Sequence, residues 1–351
     1  MCSISGCFII RKILLLWLLI SIYPLAISQV IRGTVYDKET RETIPFATLF
    51  FNGTFVGTYS NDDGNFELDI SANKSMPLTV SAIGYYTQSV TDLSPDKPVL
   101  VYLIPKVYEL KEVVVSAKTI TRERRLNMLL FKDEFLGKTS NSSQCEILNE
   151  HDITFNYGSS ADTLKAFCSK PILINNKGLG YKIAYYLDQF EYYRNTQTFI
   201  FKGSIIFQED LLANDAKRNL YERRRKYAYL GSRMHFFRAL WANNLKSAGF
   251  TIRNGMNDQL NYHDVVKLQN NQAKYLSYME NLVVEYYSRE PGYIVFLKGM
   301  VFFDRNGYFD ASGISWEGEM AKQRVADWLP FEYSTNEPEV PAENTSLKKD
   351  Q

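Results

Sequence analysis

From Val30 to about Ala117 the chain alternates apolar and polar positions in short runs, broken by turn residues roughly every ten positions, which is the pattern of an all-β domain of two packed sheets. The predicted strands are Ile31, Thr34-Val35-Tyr36, Ala47 to Phe51, Gly57-Thr58-Tyr59, Phe66 to Ile70, Leu78 to Ser81, Val99 to Leu103 and Val113-Val114-Val115. Between them, Asn61-Asp62-Asp63-Gly64-Asn65 holds an Asp-Gly pair that tolerates the positive φ of a tight turn. It predicts a hairpin joining Thr58-Tyr59 to Phe66-Glu67-Leu68.

Past Ala117 the periodicity changes. Residues 118–121 read as a polar linker, and 122–334 as a second domain of α+β class, an antiparallel sheet with packed helices. A helix begins near Arg122 with Leu126, Leu129 and Leu130 on one face and Gly137 as its stop. Ile153-Thr154-Phe155, Ile172-Leu173-Ile174, Tyr181 to Leu187 and Thr198 to Phe207 then read as an antiparallel meander. In it Asn175-Asn176-Lys177-Gly178 turns the chain and Gly203 marks a bulge or bend. Leu212, Ala216 and Leu220 recur at helical spacing, which leaves Arg218 and the run Glu222-Arg223-Arg224-Arg225-Lys226 mostly to water. A further helix is capped by Ser232, carries Phe236, Phe237, Leu240, Trp241, Leu245 and Ala248 as its apolar stripe, and ends at Gly249. Strands follow at 278–287 and 293–303. A last short helix sets Ala321, Val325 and Leu329 inward, with Met320, Arg324, Asp327 and Trp328 alongside, and Pro330 closes it.

The chain has 351 residues, enough for about two domains of ordinary size. With 45% hydrophobic and 23% charged residues, and 40 basic against 39 acidic, it can fill packed cores and lacks the excess charge of a nucleic-acid binder. Residues 1–28 read as a secretory signal: Arg11 and Lys12 flank the apolar run Ile13 to Ile20, and Ala26-Ile27-Ser28 offers small residues for cleavage before Gln29. Ser21, Tyr23, Pro24 and Ser28 interrupt that run, which argues against a permanent span of about 20 apolar residues. Cys2 and Cys7 precede it, so no cysteine stands at the cleavage point to carry a lipid anchor. Export removes two basic residues and leaves 38 against 39. It also leaves Cys145 and Cys168, which either close one disulfide, stabilising by about 3 kcal/mol, or stand as separate buried thiols. Residues 335–351 read as a disordered tail.

The chemistry-bearing residues form no complete catalytic set. A funnel-type zinc peptidase needs two His and a Glu, two of them presented as His-x-x-Glu, plus an open position for water. His151, His235 and His263 begin no such pair, and His-Glu-x-x-His is missing. Gly158-Ser159-Ser160 and Gly231-Ser232 lack the Gly-x-Ser-x-Gly elbow. Cys145 or Cys168 with His151 or His235 is a conceivable thiol and base, and His235 also fits a hydrogen-bonded structural imidazole. Gly178-Leu179-Gly180 is too short for a phosphate loop. Asp62, Asp63 and Asn65 lack the alternate spacing and distal Glu of a calcium loop and read as a plain turn. No cofactor, metal ligand or catalytic residue is assigned.

One resemblance is carried by the order Ile31-x-Gly33-x-Val35-x-Asp37, Ile44-Pro45-x-Ala47, Gly57-Thr58-x-Ser60-Asn61-x-Asp63-Gly64-x-Phe66, Val80-Ser81-x-x-Gly84-Tyr85 and Leu110-x-Glu112-Val113-Val114-Val115. This set resembles the carboxypeptidase-regulatory-like domain. The resemblance implies a seven-stranded sandwich similar to transthyretin, a non-catalytic module found beside zinc carboxypeptidases and at the front of TonB-dependent outer-membrane receptors. Too few residues follow Ala117 for a receptor's plug and barrel. Phe131-x-x-x-Phe135-Leu136-Gly137, Tyr229-x-Gly231-Ser232-x-x-His235-Phe236 and Arg324-Val325-Ala326-Asp327-x-Leu329-Pro330 resemble uncharacterised envelope proteins and bring no chemistry. The expectation is an exported, periplasmic or outer-membrane-associated protein that recognises an envelope protein or a glycan. A 14% aromatic content is compatible with sugar stacking. The competing readings are a hydrolase with its site in 122–334 and a small transmembrane barrel.

Overall fold

The alternation along the first hundred residues resolves into β1 (Val30–Asp37), β2 (Thr48–Phe51), β3 (Gly57–Tyr59), β4 (Asn65–Asp69), β5 (Leu78–Ser81), β6 (Gln88–Val90) and β7 (Val99–Leu103). This computed structural model describes residues 29–106, 122–157, 162–211, 214–269, 273–287 and 289–335. The signal segment, the strand expected at Val113-Val114-Val115, the linker at 118–121, Leu212 and the tail from 336 lie outside the described residues. Three strands pair in the order β4-β1-β7, with β1 and β7 parallel, and four in the order β3-β2-β5-β6. Inward residues of both sheets, among them Ile31, Val35, Leu68 and Val101 against Leu49, Phe51, Leu78 and Val80, share one core.

The hairpin expected across Asn61 to Asn65 is not formed. The turn exists, with Gly64 at φ +77° and Asn61 Oδ1 accepting from the N–H groups of Asp63 and Asn65 at 3.1 and 2.8 Å. Yet β3 pairs with β2 and β4 pairs with β1, so this turn carries the chain from one sheet to the other. β6 lies at a place where no strand was predicted.

The rest of the described chain is mostly β with four helices. After α1 (Arg122–Phe135) come β8 (Cys145–Ile147), β9 (Thr154–Tyr157), β10 (Thr163–Phe167), β11 (Ile172–Asn176), β12 (Tyr181–Tyr193) and β13 (Thr198–Glu209). β13 occupies one edge of β12 along its length, while β11 and β10 occupy opposite ends of the other edge. β8 and β9 pair in turn with β11 and β10, in a register that is unbroken across the gap. The six segments are thus a four-stranded antiparallel meander with two interrupted strands. The bend expected at Gly203 is present: the β12 register slips between Leu187 and Gln189 opposite it. A Cβ on Gly203 would sit 2.3 Å from the Tyr186 carbonyl oxygen.

One face of the meander carries α1, but not through the leucines expected. Leu126 and Leu129 are 53% and 54% exposed, and the buried face is Asn127, Met128, Phe131 and Phe135. The Phe131 ring meets those of Phe135 and Phe190 at 4.9 and 4.8 Å. Aromatic area outweighs leucine here because the facing strand presents Phe190 and Tyr185. Gly137, at φ +99°, ends the turn after this helix as expected.

α2 (Asp215–Tyr229) and α3 (Arg233–Trp241) follow. Ser232 caps α3, its Oγ accepting from the His235 N–H at 3.0 Å. The helix stops at Trp241, eight residues before the predicted end, where Asn243 adopts φ +53°. Then come β14 (Phe250–Arg253), β15 (Gln259–Leu260), α4 (Tyr262–Val265), β16 (Val266–Gln269), β17 (Ala273–Leu276), β18 (Leu282–Tyr286), β19 (Gly292–Phe296), β20 (Val301–Phe303) and β21 (Ile314–Gly318). The single strand expected over 293–303 is split: β19 joins the sheet β15-β14-β18-β19-β21 and β20 joins β16-β17-β20. The last predicted helix is instead two single 3-10 turns, Glu319–Lys322 and Val325–Asp327. The region holds two cores, one under the meander and one between the later sheets, with α3 reaching both through Met234 and through Phe236, Phe237 and Leu240.

The N-terminal unit is docked on the meander. Phe50 points out of its own core yet is fully buried, because its ring stacks on Tyr186 at 5.0 Å. Main-chain bonds fix the contact: Gly53 N–H to Ile205 O at 2.7 Å, Phe207 N–H to Thr54 O at 3.0 Å and Phe331 N–H to Gly53 O at 2.8 Å. Residues 52–54 thereby add to the free edge of β13, and Thr54 bridges Ile206 in parallel.

Candidate functional site

The residues singled out for nucleophilic chemistry are dispersed. His235 is buried among Tyr229, Phe250 and Tyr286, and its Nδ1 accepts from the Gly231 N–H at 3.1 Å. His151 lies on an exposed turn beside Asp152, and His263 lies on α4. The Cys145–Cys168 disulfide is not formed, and both are free thiols. Cys145 sits opposite Asn176 in the sheet, and Cys168 lies eight residues of mostly extended chain away from Asn176. That is on the order of 20 Å, against the ~6 Å between Cα atoms that a disulfide spans. Burial, with Asp327 adding to it, pushes the Cys145 thiol up to about 12, and burial raises Cys168 as well. This is the opposite of what an activated thiolate requires. In the Asp-Gly turn, Asn65 Oδ1 accepts from Thr34 Oγ1 at 2.7 Å and Asn61 Oδ1 from two N–H groups, so these oxygens hold the turn.

The buried ionisable groups clamp loops. Arg225, expected in water, is buried: Nε donates to Leu179 O at 2.8 Å, Nη1 reaches Glu209 and Glu222 at 2.8 and 2.7 Å, and the guanidinium lies 4.1 Å from the Tyr181 ring centroid. Desolvated charge is tolerated there because each donor finds a partner. Arg233, pulled down to about 9 by burial with Arg324 nearby, donates to Met320 O at 3.0 Å. Asp327, raised by burial, accepts from Asn141 and Thr139 at 2.8 and 3.0 Å and so ties the second 3-10 turn to the loop after α1. No group of three or more His, Cys, Asp or Glu placed to hold a metal occurs among the described residues. No helix among them is long and apolar enough to cross a membrane.

Two concave surfaces among the described residues bear on recognition. A groove of about 550 Å³ runs over the N-terminal unit between the outer edges of β3 and β4. Part of its polar lining is mutually paired, Arg32 with Glu67 at 3.0 Å and Thr34 with Asn65. The other, about 300 Å³, lies at the junction between the turn that follows β4, the turn after β20 and the segment 331–334. Here Arg238 donates Nε to Asn306 O, Nη1 to Tyr333 O and Nη2 to Phe331 O, at 2.9, 2.8 and 3.0 Å. Glu332, raised by burial, accepts from the Phe55 N–H at 3.0 Å. Ser75 Oγ donates to the buried Asp304 at 3.0 Å and joins the two turns. Nothing in the sequence pointed to this cleft, since Asn73 and Arg305 stand far apart in turns of ordinary composition.

The fold and site define a two-sheet module seated on a larger β-rich body, with a cleft at the seam. Residues 31–115 match the family model of the CarboxypepD_reg-like domain, which is non-catalytic, and the rest of the chain is unassigned. A comparison with curated proteins finds no match for the chain.

Proposed function

We propose that this is an exported, non-catalytic cell-envelope protein, in the periplasm or at the outer membrane, that works by recognising a protein or glycan. In this reading the N-terminal unit is a transthyretin-like sandwich that helps to form the binding surface. The observation that carries it is the docking: main-chain bonds and the Phe50–Tyr186 stack fix the module against the meander, and the seam opens into a cleft contributed by both parts. Binding sites favour such junctions because two independently folded surfaces supply shape and polar groups together. The thiols held up by burial and the imidazole packed in a core support recognition over turnover.

The test has two arms. Purified chain is incubated with peptide, ester and glycan panels followed by mass spectrometry, and crosslinked envelopes are probed by affinity capture. Unchanged substrates with specific capture support the reading. Turnover abolished by one substitution overturns it.

A further inference from the structure

Three turns close the same end of the sheet β15-β14-β18-β19-β21. Arg253 at the end of β14 lies opposite Val283, Leu282 at the start of β18 opposite Ile294, and Phe296 at the end of β19 opposite Ile314. Residues 254–258, 277–281 and 297–300 therefore all project from that end. They are joined there: Ser277 Oγ donates to Gly299 O at 2.8 Å, and a Cβ on Gly255 would lie 3.5 Å from Glu280 Oε2. Each turn holds out a large apolar side chain that no core uses. Met279 is 100% exposed, Met256 75%, Leu297 63% and Met300 50%. Apolar residues scattered singly over a surface need no explanation, but four gathered on adjoining turns mark a docking surface.

The charges on these turns select what covers them. Lys298 is their only base and is neutralised by Asp310 at 3.0 Å. Asp258 and Glu280 are exposed, and neither has an ion pair among the described residues. A second copy seated here across a two-fold axis would bring these carboxylates against their own counterparts. Anionic lipid draws basic segments and repels acidic ones. A protein interface centres on Trp, Tyr or Arg anchors held in pockets, whereas these projecting tips offer three flexible thioethers and one isobutyl group. Lipid takes in such side chains without demanding a fitted shape, and the ammonium groups of zwitterionic lipid complement the two carboxylates. We propose that this end of the molecule docks on a zwitterionic bilayer, with Met256, Met279, Leu297 and Met300 entering the headgroup layer and Asp258 and Glu280 level with the lipid ammonium groups. This rests on the envelope reading above and adds a lipid contact to it.

The test is flotation of the full chain with vesicles of phosphatidylethanolamine and phosphatidylcholine, combined with hydroxyl-radical footprinting read by peptide mass spectrometry. Met256, Met279 and Met300 should be protected by the vesicles, while Tyr227, 74% exposed on α2, keeps its rate of oxidation. Because protection is read side chain by side chain, attachment through residues 1–28 would not reproduce it. Met279→Asp combined with Leu297→Asp should weaken binding by about tenfold or more, since each withdraws a large apolar side chain from lipid. Its thermal midpoint should stay unchanged, because both positions are exposed. Adding phosphatidylglycerol should weaken binding of the wild-type chain, and Glu280→Lys should reverse that preference. No flotation, flotation without protection of the three methionines, equal protection of Tyr227, undiminished binding by the double variant or tighter wild-type binding to phosphatidylglycerol vesicles overturns the proposal. So does a dimer in analytical ultracentrifugation that the double variant abolishes. These outcomes leave the recognition reading standing, since its capture and panel experiments contain no probe for the tips, and turnover in those panels would leave the lipid contact standing.

Discussion

Phe50 gives the sharpest test of whether the two parts of the chain are one unit. Its neighbours Leu49 and Phe51 fill the N-terminal core, whereas its own ring faces outward and owes its burial to Tyr186 and the surrounding seam. Phe50→Ala should therefore cost about 3–5 kcal/mol, as for a fully buried phenylalanine, even though the position would be a surface one in an isolated module. Leu49→Ala should cost about 2–5 kcal/mol through the module's core and show no coupling to Tyr186. Urea unfolding of Phe50→Ala, Tyr186→Ala and the pair measures the interaction directly. A shortfall from additivity of about 0.5–1.5 kcal/mol is expected for stacked rings. A loss below about 0.5 kcal/mol for Phe50→Ala, or additivity within about 0.3 kcal/mol, would show that the module does not sit on the meander and would refute the seam with it.

Asp327 holds its proton more tightly folded than unfolded because burial outweighs the bonds from Asn141 and Thr139. Its contribution is thus most favourable at low pH and is lost as pH rises from the ordinary aspartate value of ~3.9 through the raised one. Asp327→Asn keeps the acceptor oxygen, so the difference between variant and wild type should move in the variant's favour over that window; a variant less stable by a constant amount at every pH would contradict this. At pH 8 a thiol near 12 has on the order of 10³-fold less thiolate than a free one. Iodoacetamide should accordingly label Cys145 far more slowly in the native chain than in urea, and a native mass 2 Da below the dithiol value, the mark of a disulfide, would count against the separated thiols. Gly203→Ala, which forces a Cβ against the Tyr186 carbonyl oxygen and the Tyr185 ring, should cost about 1–3 kcal/mol in chemical denaturation. A neutral result would mean that the bulge at Leu187 to Gln189 relaxes freely.

The sequence made some levels of this structure legible and others not. Strand alternation gave most of the first seven strands, since inward and outward positions differ in polarity wherever a core lies on one side. It could not give the pairing: Asp63-Gly64 specifies a change of direction, and only the packing decides that β4 leaves β3 for β1. In α1 the leucines suggested one face, but the sheet beneath selects Met128, Phe131 and Phe135. Arg225 looked like its exposed neighbour Arg223, because the carbonyls that receive it come from Leu179 and Gly180, 46 and 45 positions away. β14 to β17 are two to four residues long, too short for period to speak. The cleft was invisible for the same reason as Arg225: Asn73 and Arg305 meet only after both parts have folded.

The two ends of the described chain approach one rim. Gln29 donates its N–H to Ser71 Oγ at 2.9 Å and accepts from Ile70 at 2.8 Å, while Ala72 and Ser334 line the same cleft. A group introduced at Gln29 or Ser334 is thus held beside that cleft. The geometry also makes the backbone nearly circular: linking the two ends by a short loop and reopening the chain at the exposed Asn195-Thr196 tip would permute the order of the strands while preserving each pairing.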